Sequence, residues 1–170
     1  NQGPVLERGT TPSALGWGTD DAAYPTRFAV NPVDGAEMVW VPPGLFTMGS
    51  TGEQLDRLWR ESGWDENWKQ FTSAEEPAHP VEISSGFWMS RHPVTNGQYA
   101  CFLKSTERDP HDLWDEYREH ERLPAVLVTW HDAAAYAQWA SGELPTEAQW
   151  EWSARGPEGW LFPWGNGWDP

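Results

Sequence analysis

The sequence predicts an α+β fold made of short strands, short helices and a large amount of irregular chain. Apolar runs of four or five residues predict the strands, and capping residues at regular spacings predict the helices. The chain also carries 14 Trp, 15 Pro and 16 Gly, a composition typical of a loop-rich fold whose aromatic side chains are mostly buried. At 170 residues it is long enough for one domain with a real core and too short for two.

Five apolar runs predict strands. They are residues 38–41 (MVWV), 45–49 (LFTMG), 81–84 (VEIS), 87–90 (FWMS) and 125–128 (AVLV). The Pro-Pro-Gly turn at 42–44 predicts a hairpin of the first two runs, and Ser85 with Gly86 predicts a hairpin of the next two. The last run is apolar throughout and lies between Pro124 and Thr129, so it predicts a buried strand.

Three helix starts are marked by a Thr and a Gln three residues later, which is the spacing of a capping box. These pairs are Thr51 with Gln54, Thr95 with Gln98, and Thr146 with Gln149. Thr129 predicts a further start, with Asp132 close to the positive end of the helix dipole. Gly63 and Gly156 predict helix ends, and Gly142 predicts an end in the left-handed conformation of a C-cap.

Two shorter helices complete the expected elements. One surrounds Trp64 and Trp68, in a polar segment that we interpret as a surface excursion. The other contains Leu113, Trp114 and Tyr117 in charged surroundings, a pattern that predicts a short exposed helix.

The domain is expected to begin after an N-terminal segment. Residues 1–36 carry Gly, Pro, Thr and Asp without periodicity, and we interpret them as an extended arm or linker. The folded domain is then residues 37–170. Residues 1–20 lack the basic and apolar regions of a signal peptide, and the chain begins at Asn1 rather than Met, so its localisation stays unknown.

Charge and hydropathy exclude two classes of partner. With a net charge of −15 and only 11 basic residues, the chain has no patch with which to neutralise nucleic-acid phosphates. No apolar run approaches the length of a transmembrane helix, so no membrane partner is expected. An acidic surface mainly confers solubility, and it also tolerates cationic partners or a divalent metal.

Candidate nucleophiles and metal ligands are few. The single cysteine, Cys101, excludes an internal disulfide and a site of several thiolates. It lies on a predicted helix between Tyr99 and Phe102, which favours a passive, partly buried thiol over a nucleophile. His111 and His120 are separated by nine positions, so one helical face does not hold both and no shared metal is predicted.

Acid-base candidates are equally weak. Glu147 and Glu151 lie one helical turn apart, but with 26 acidic residues such a pair is expected without any catalytic role. We interpret them as solvated or salt-bridged, with Arg155 the natural partner of Glu151. His131, beside Trp130, is interpreted as a hydrogen-bonded surface histidine rather than a general base. No Gly-rich phosphate loop and no GxSxG motif is present in the sequence.

Four stretches resemble a known superfamily. MVWVPPGLFTMGS, FWMSRHPVTNGQY, AVLVTWHDAAAYAQWASGELPTEAQWEWSARG and LFPWGN occur in the order and approximate spacing found in the formylglycine-generating enzyme, or sulfatase-modifying factor, superfamily. The resemblance covers residues 37–166 and matches the N-terminal portion of that domain. It implies a C-type-lectin-like variant fold with a small, twisted, mostly antiparallel sheet, a few helices and much irregular chain. It also implies that the domain is incomplete in this chain.

The resemblance implies a chemistry without assigning residues to it. In the oxygen-dependent enzymes of that superfamily, a pair of cysteines binds copper and acts on a substrate cysteine, and two calcium sites brace the structure. Those cysteines and most calcium ligands lie downstream of the PWGN motif, beyond Pro170, and Cys101 is not at a position reserved for catalysis. No catalytic, cofactor-binding or metal-binding residue is therefore assigned to this chain.

The resemblance implies two alternative functions. In the first, this chain is part of a domain that oxidises a cysteine of a protein or small-molecule substrate once downstream sequence completes it. The alternative is a non-catalytic lectin-like module that binds protein or carbohydrate ligands, as in the variable proteins of diversity-generating retroelements. The expected partners are such a ligand and the missing C-terminal half or a second chain.

A third possibility comes from ergothioneine-type iron enzymes, which pair a similar domain with a histidine-bearing helical one. The five His of this chain are scattered and show no HxxxH spacing. That iron site is therefore not expected in this chain.

Overall fold

The computed structural model describes residues 28–63 and 69–167, which form an α+β arrangement of short elements in two units. The strands are β1 Phe28–Val30, β2 Glu37–Val41, β3 Gly44–Met48, β4 His79–Ile83 and β5 Phe87–Ser90. The helices are α1 Gly52–Ser62, α2 Lys69–Thr72, α3 Asn96–Thr106, α4 Trp114–Tyr117, α5 Trp130–Trp139 and α6 Glu147–Arg155, with a 3₁₀ turn at Ser73–Glu75. The predicted α+β class with small antiparallel sheets is confirmed.

The first unit comprises the described residues 28–41 together with residues 87–144. Its sheet has the order β1-β2-β5 and is antiparallel throughout. Helices α3, α4 and α5 supply an aromatic core, in which the buried side chains are Tyr99, Phe102, Leu103, Trp114, Tyr136 and Ala140. Tyr99 with Phe102, Tyr99 with Trp114, and Phe102 with Tyr136 meet at tilted or edge-to-face angles, which aromatic quadrupoles favour, and Tyr99 stacks with Tyr136.

The second unit comprises residues 42–63 and 69–86 and residues 145–167 of the described chain. Strands β3 and β4 pair antiparallel, from Gly44 opposite Ile83 to Met48 opposite His79. Helix α6 packs on this pair, with Trp152 against Phe46. The buried apolar side chains of this unit are Phe46, Leu55, Trp59, Ile83 and Trp152.

The predicted hairpins are wrong, although the first four predicted strands exist. Strand β2 pairs with β1 and β5, and β3 pairs with β4. The two hairpins expected from the sequence, β2 with β3 and β4 with β5, therefore do not form. Pro42 and Pro43 separate β2 from β3. Their fixed φ angles do not fit the positive values that a two-residue hairpin turn requires, and they have no N–H to donate.

The predicted buried strand at 125–128 is also wrong. Pro124 makes a single bridge to Thr95, and the Ala125 N–H donates to the Val94 carbonyl at 2.8 Å, but no ladder follows. Leu127 has a φ of 59°, and this left-handed conformation interrupts an extended strand. The middle of the run is therefore exposed rather than buried.

The capping predictions are confirmed at all three Thr and Gln pairs, where both reciprocal hydrogen bonds form. Thr129 begins α5 as predicted, and it forms a fourth box with Asp132. Gly63 and Gly156 end α1 and α6 with positive φ angles.

The left-handed conformation predicted for Gly142 is wrong, because Ser141 adopts it instead, with a φ of 63°. The Ser141 N–H donates to the Gln138 carbonyl at 3.1 Å, and the Gly142 N–H donates to the Ala137 carbonyl at 2.8 Å. This is the hydrogen-bond pattern of a Schellman motif, which satisfies the last carbonyls of α5.

Two further expectations concern short segments. Helix α4 forms as predicted, but Trp114 is buried against Tyr99, so the helix is not simply exposed. The helix expected around Trp64 and Trp68 lies outside the described residues, as do residues 1–27 of the expected arm. Phe28–Val30, within the segment expected to be an arm, pairs with β2 as strand β1.

Across residues 28–63 and 69–167, no helix combines the length and apolar character that a membrane crossing requires.

Candidate functional site

Helix α6 carries Glu147, Glu151 and Arg155, the charged residues that the sequence analysis considered together. Its start is fixed by the Thr146 box, in which the Gln149 N–H donates to Thr146 Oγ1 at 3.2 Å and Gln149 Oε1 accepts from the Thr146 N–H at 2.9 Å. Glu151 and Arg155 follow four positions apart, so they share one helical face. Glu147 lies exposed in the first turn and does not join them.

The Glu151–Arg155 ion pair is shielded from solvent. Arg155 Nη1 lies 2.6 Å from Glu151 Oε1, with side-chain exposures of 12% and 17%. Both side chains also bind the backbone of one residue: the Gly49 N–H donates to Glu151 Oε1 at 2.7 Å, and Arg155 Nη1 donates to the Gly49 carbonyl at 2.6 Å. The predicted salt bridge is confirmed, and its geometry is that of a clamp on Gly49.

Arg155 also binds the segment that follows α6. Its Nε donates to the Trp160 carbonyl at 2.8 Å and its Nη2 to the Gly159 carbonyl at 3.2 Å. A guanidinium with its donors used in this way holds chain segments in register and presents no free fork to a ligand. The pair is therefore structural.

The inner face of α6 is equally committed to packing. Trp152 is buried, and its Nε1–H donates to the Pro42 carbonyl at 2.9 Å. The ring lies 5.3 Å from that of Phe46, centroid to centroid. These contacts use both the apolar area and the single polar atom of the indole.

Two tryptophans of the same unit, Trp150 and Trp164, are exposed. Trp150 projects from α6 and is exposed. In the turn at residues 162–165, here called the aromatic turn, Phe162 and Trp164 stack at 5.1 Å with an interplanar angle of 3°. Reciprocal hydrogen bonds between Phe162 and Gly165, of 2.9 and 3.0 Å, close the turn. The exposed indole of Trp164 suits stacking on a sugar or an apolar side chain, whereas the ring of Phe162 is half-buried.

The first unit exposes a second apolar surface, here called the apolar ledge. It consists of Leu123, Val126, Leu127 and Trp130, which are 55%, 40%, 55% and 68% exposed. The predicted strand that includes Val126 and Leu127 was expected to be buried, so the sequence alone did not reveal this surface. Its signal in the sequence is the apolar run itself.

Cys101 is exposed on α3, so its expected partial burial is wrong. Tyr99, Phe102 and Leu103 occupy the buried face of that helix. Cys101 lies between the positions that turn inward.

The histidines do not converge on a site. His111 packs edge-on against Trp114 and near Tyr117, and its buried Nε2 meets no hydrogen-bond partner among the described residues. His120 is exposed, and His131 is exposed beside the ring of Trp130.

Asp34 and Tyr136 form a polar pair that sequence reasoning missed. The Tyr136 hydroxyl donates to Asp34 Oδ2 at 2.6 Å, and Asp34 Oδ1 accepts from the Ala36 N–H at 2.9 Å. Desolvation, followed by the hydrogen bond from the hydroxyl to Asp34 and the charge of that carboxylate, raises the pKa of Tyr136. Desolvation, followed by the charge of Asp132, also raises the pKa of Tyr99. Both phenols therefore stay protonated, and that of Tyr136 acts as a hydrogen-bond donor.

The residue set does not fit the metals that the resemblance implies. A copper site made of two cysteines needs a second thiol, and the chain has only Cys101. Within the part of the chain that the structure describes, no three His, Cys, Asp or Glu side chains group closely enough to hold a metal ion. The described residues thus supply packing, a clamp on Gly49 and two apolar surfaces.

Comparison with known proteins gives one family and a structural neighbour. The sequence model of the Sulfatase-modifying factor enzyme 1-like domain matches residues 24–170. The mouse Formylglycine-generating enzyme is 29% identical over 175 residues, covering 76% of this chain and 43% of that protein. The mouse Inactive C-alpha-formylglycine-generating enzyme 2 is 34% identical over 109 residues, covering 64% of this chain and 32% of that protein.

The solved structure of PvdO from Pseudomonas aeruginosa is similar with a TM-score of 0.60 and 28% identity. The similarity covers 81% of this chain and 54% of the PvdO chain. The chain thus spans about half of PvdO and less than half of the two mouse relatives.

Proposed function

Because the chain belongs to the family of sulfatase-modifying factor enzyme 1-like domains, we propose that it is part of a domain that oxidises a cysteine of a protein or small-molecule substrate. Downstream sequence completes that domain in this proposal. The observation that supports it is the family match over residues 24–170, joined by the similarity to a mouse protein named Formylglycine-generating enzyme.

In this proposal, the described residues build the framework that holds the reacting part. The Glu151–Arg155 clamp fixes Gly49 at the end of β3, and Trp152 ties α6 to Pro42. Such fixed scaffolding keeps a site within the small tolerances that catalysis needs. The reacting groups belong to the remaining part of the domain in this proposal, because the pair of cysteines that the family implies needs two thiols and Cys101 is the only one here.

Activity has to be measured, because one of the relatives is named inactive. The full-length protein is incubated aerobically, with copper and a thiol reductant, with peptides that each contain one cysteine. Conversion of the cysteine to formylglycine is followed by mass spectrometry and by aldehyde-specific labelling. The matched control uses the same peptides with Ser in place of Cys. A folded full-length protein that converts no cysteine peptide or small thiol would overturn the proposal.

The second candidate function is a binding module, and the aromatic turn, in which Trp164 is exposed, is the observation that favours it. Trp150 and the stacked pair of Phe162 and Trp164 present aromatic rings in one unit. A glycan and peptide array would show a ligand for the full-length protein. Trp164→Ala would then weaken binding at least tenfold, about 1.4 kcal/mol or more, while Trp59→Phe, a change in the core, would leave the affinity unchanged. An array without ligands contradicts this candidate.

A further inference from the structure

We propose that the apolar ledge, formed by Leu123, Val126, Leu127 and Trp130, is the surface on which the remainder of the domain packs in the full-length protein. The occupant is the chain that follows Pro170. This inference rests on the part of the proposed function that takes the domain to continue beyond this chain.

The first argument is the amount of apolar side chain that the ledge exposes. Single exposed apolar residues are ordinary on protein surfaces and need no explanation. Here four large apolar side chains within residues 123–130 are between 40% and 68% exposed. Four such side chains within eight consecutive residues are not scattered singly, and apolar surface concentrated in this way is a mark of an interaction site.

The second argument is that the ledge is held in place and is not a loose tip. The Leu123 carbonyl accepts from the Asn96 N–H at 2.8 Å, and Asn96 is itself buried. The Ala125 N–H is bound by the Val94 carbonyl. At the other end, Trp130 is the first residue of α5, whose start is fixed by the box of Thr129. An ordered surface costs little conformational entropy when a partner covers it.

The third argument is the backbone of Leu127. Its φ of 59° lies in the left-handed region, which non-glycine residues with bulky side chains rarely occupy. Strain of this kind persists where the surroundings enforce it and clusters at sites of function. At this position the strained conformation leaves Leu127 exposed rather than buried in its own unit.

The choice of occupant follows from the relatives and from the charge. The similarity to PvdO covers 81% of this chain but only 54% of that chain, so a comparable length of domain is available to cover the ledge. A second copy of this chain is less suitable, because each copy carries a net charge of −15 and like charges oppose association.

The test measures protection of the ledge in the full-length protein. Leu127→Cys and, separately, Trp130→Cys are made, and alkylation by N-ethylmaleimide is followed in buffer and in urea by peptide mass spectrometry. Native Cys101, which is exposed on α3, is the internal control. We expect both ledge cysteines to react about tenfold or more slowly in buffer than in urea, whereas Cys101 changes little. Two positions are used so that a folding defect in one variant does not decide the result.

Sedimentation velocity of the same samples identifies the occupant. Protection in a monomer supports the inference. Protection that rises with the fraction of dimer assigns the ledge to a second copy and overturns it. Ledge cysteines that react as fast as Cys101, or a natural protein that ends at Pro170 with the ledge open, also overturn it. Protection does not depend on cysteine oxidation, so a protected but inactive protein would overturn the proposed function alone.

Discussion

Gly44 and Trp152 occupy adjoining space, so closely that a Cβ atom at Gly44 would lie 2.6 Å from Cζ2 of the indole ring. Trp152 is buried and its Nε1–H is bound by the Pro42 carbonyl, so the ring is held from two sides. The absence of a side chain at the first residue of β3 is what allows α6 to pack on this strand.

Gly44→Ala is therefore expected to lower the free energy of unfolding by about 1–3 kcal/mol, the usual cost of overpacking a core. Urea denaturation followed by tryptophan fluorescence measures it. Gly167→Ala is the matched control, because its Cβ would meet nothing within 4 Å. Equal stability of the two variants would show that the ring can move aside.

Arg155→Met should destabilise the protein by about 2–4 kcal/mol, because it leaves Glu151 shielded without its cation and removes the hydrogen bonds to three carbonyls. Thermal unfolding measures the effect. Arg118→Met is the control, since its pair with Asp115 is exposed and should be worth less than about 0.5 kcal/mol. If the Arg155 and Arg118 variants have the same melting temperature, the clamp on Gly49 does not stabilise the protein.

The Thr129 box should respond to acid, unlike the three other capping boxes described. Its acceptor is Asp132, and the hydrogen bonds from the side chain and backbone of Thr129 lower the pKa of that carboxyl. The other three boxes use a neutral Gln. A lowered pKa means that the stabilisation is present above the ordinary value of 3.8 and is lost as the pH falls through the folded-state value.

Asp132→Gln should therefore melt at a temperature that depends less on pH between pH 6 and pH 3 than the native protein does. Differential scanning calorimetry at both values gives the comparison, and all other acidic groups are common to the two proteins. Thr129→Ala should cost about 1 kcal/mol at neutral pH. Parallel pH profiles for the native protein and the Asp132→Gln variant would refute the assignment.

Ser141→Gly is expected to stabilise the protein by about 0.5–1 kcal/mol, because glycine adopts the left-handed conformation without the steric cost that Ser141 bears. Gly142→Ala is the control: its added Cβ would make only an ordinary contact of 3.7 Å with the Ala137 carbonyl. A loss of stability in Ser141→Gly would mean that the serine makes a compensating interaction.

The sequence predicted the helix starts well because a capping box is a local device. Thr51, Thr95 and Thr146 each need only a Gln three residues away, and no distant contact changes that arrangement. The Glu151–Arg155 pair was predictable for the same reason, as both residues lie on one helical face. The part that Gly49 takes in it depends on tertiary packing and carries no mark in the sequence.

Strand pairing was less predictable because it depends on competing partners. The runs now seen as β2, β3, β4 and β5 were expected to be strands, but nothing local distinguishes a hairpin from pairing with a distant strand. The pair of Asp34 and Tyr136 was missed similarly, since Asp34 also fits an ordinary turn residue. The exposure of Leu127 was not predicted, because a leucine in an apolar run favours a buried strand. Only the positive φ angle of its backbone prevents that strand.

The pairing of β2 with a strand far along the chain also affects synthesis of the protein. Strand β2 ends at Val41 and its partner β5 begins at Phe87, so residues 42–86 must be synthesised before the two can pair. At ribosomal rates this takes about 2–9 seconds. During that interval the β2 edge that will bind β5 lacks its partner and can template pairing with a second nascent chain. Biosynthesis at high expression should therefore be the stage at which this protein aggregates most readily.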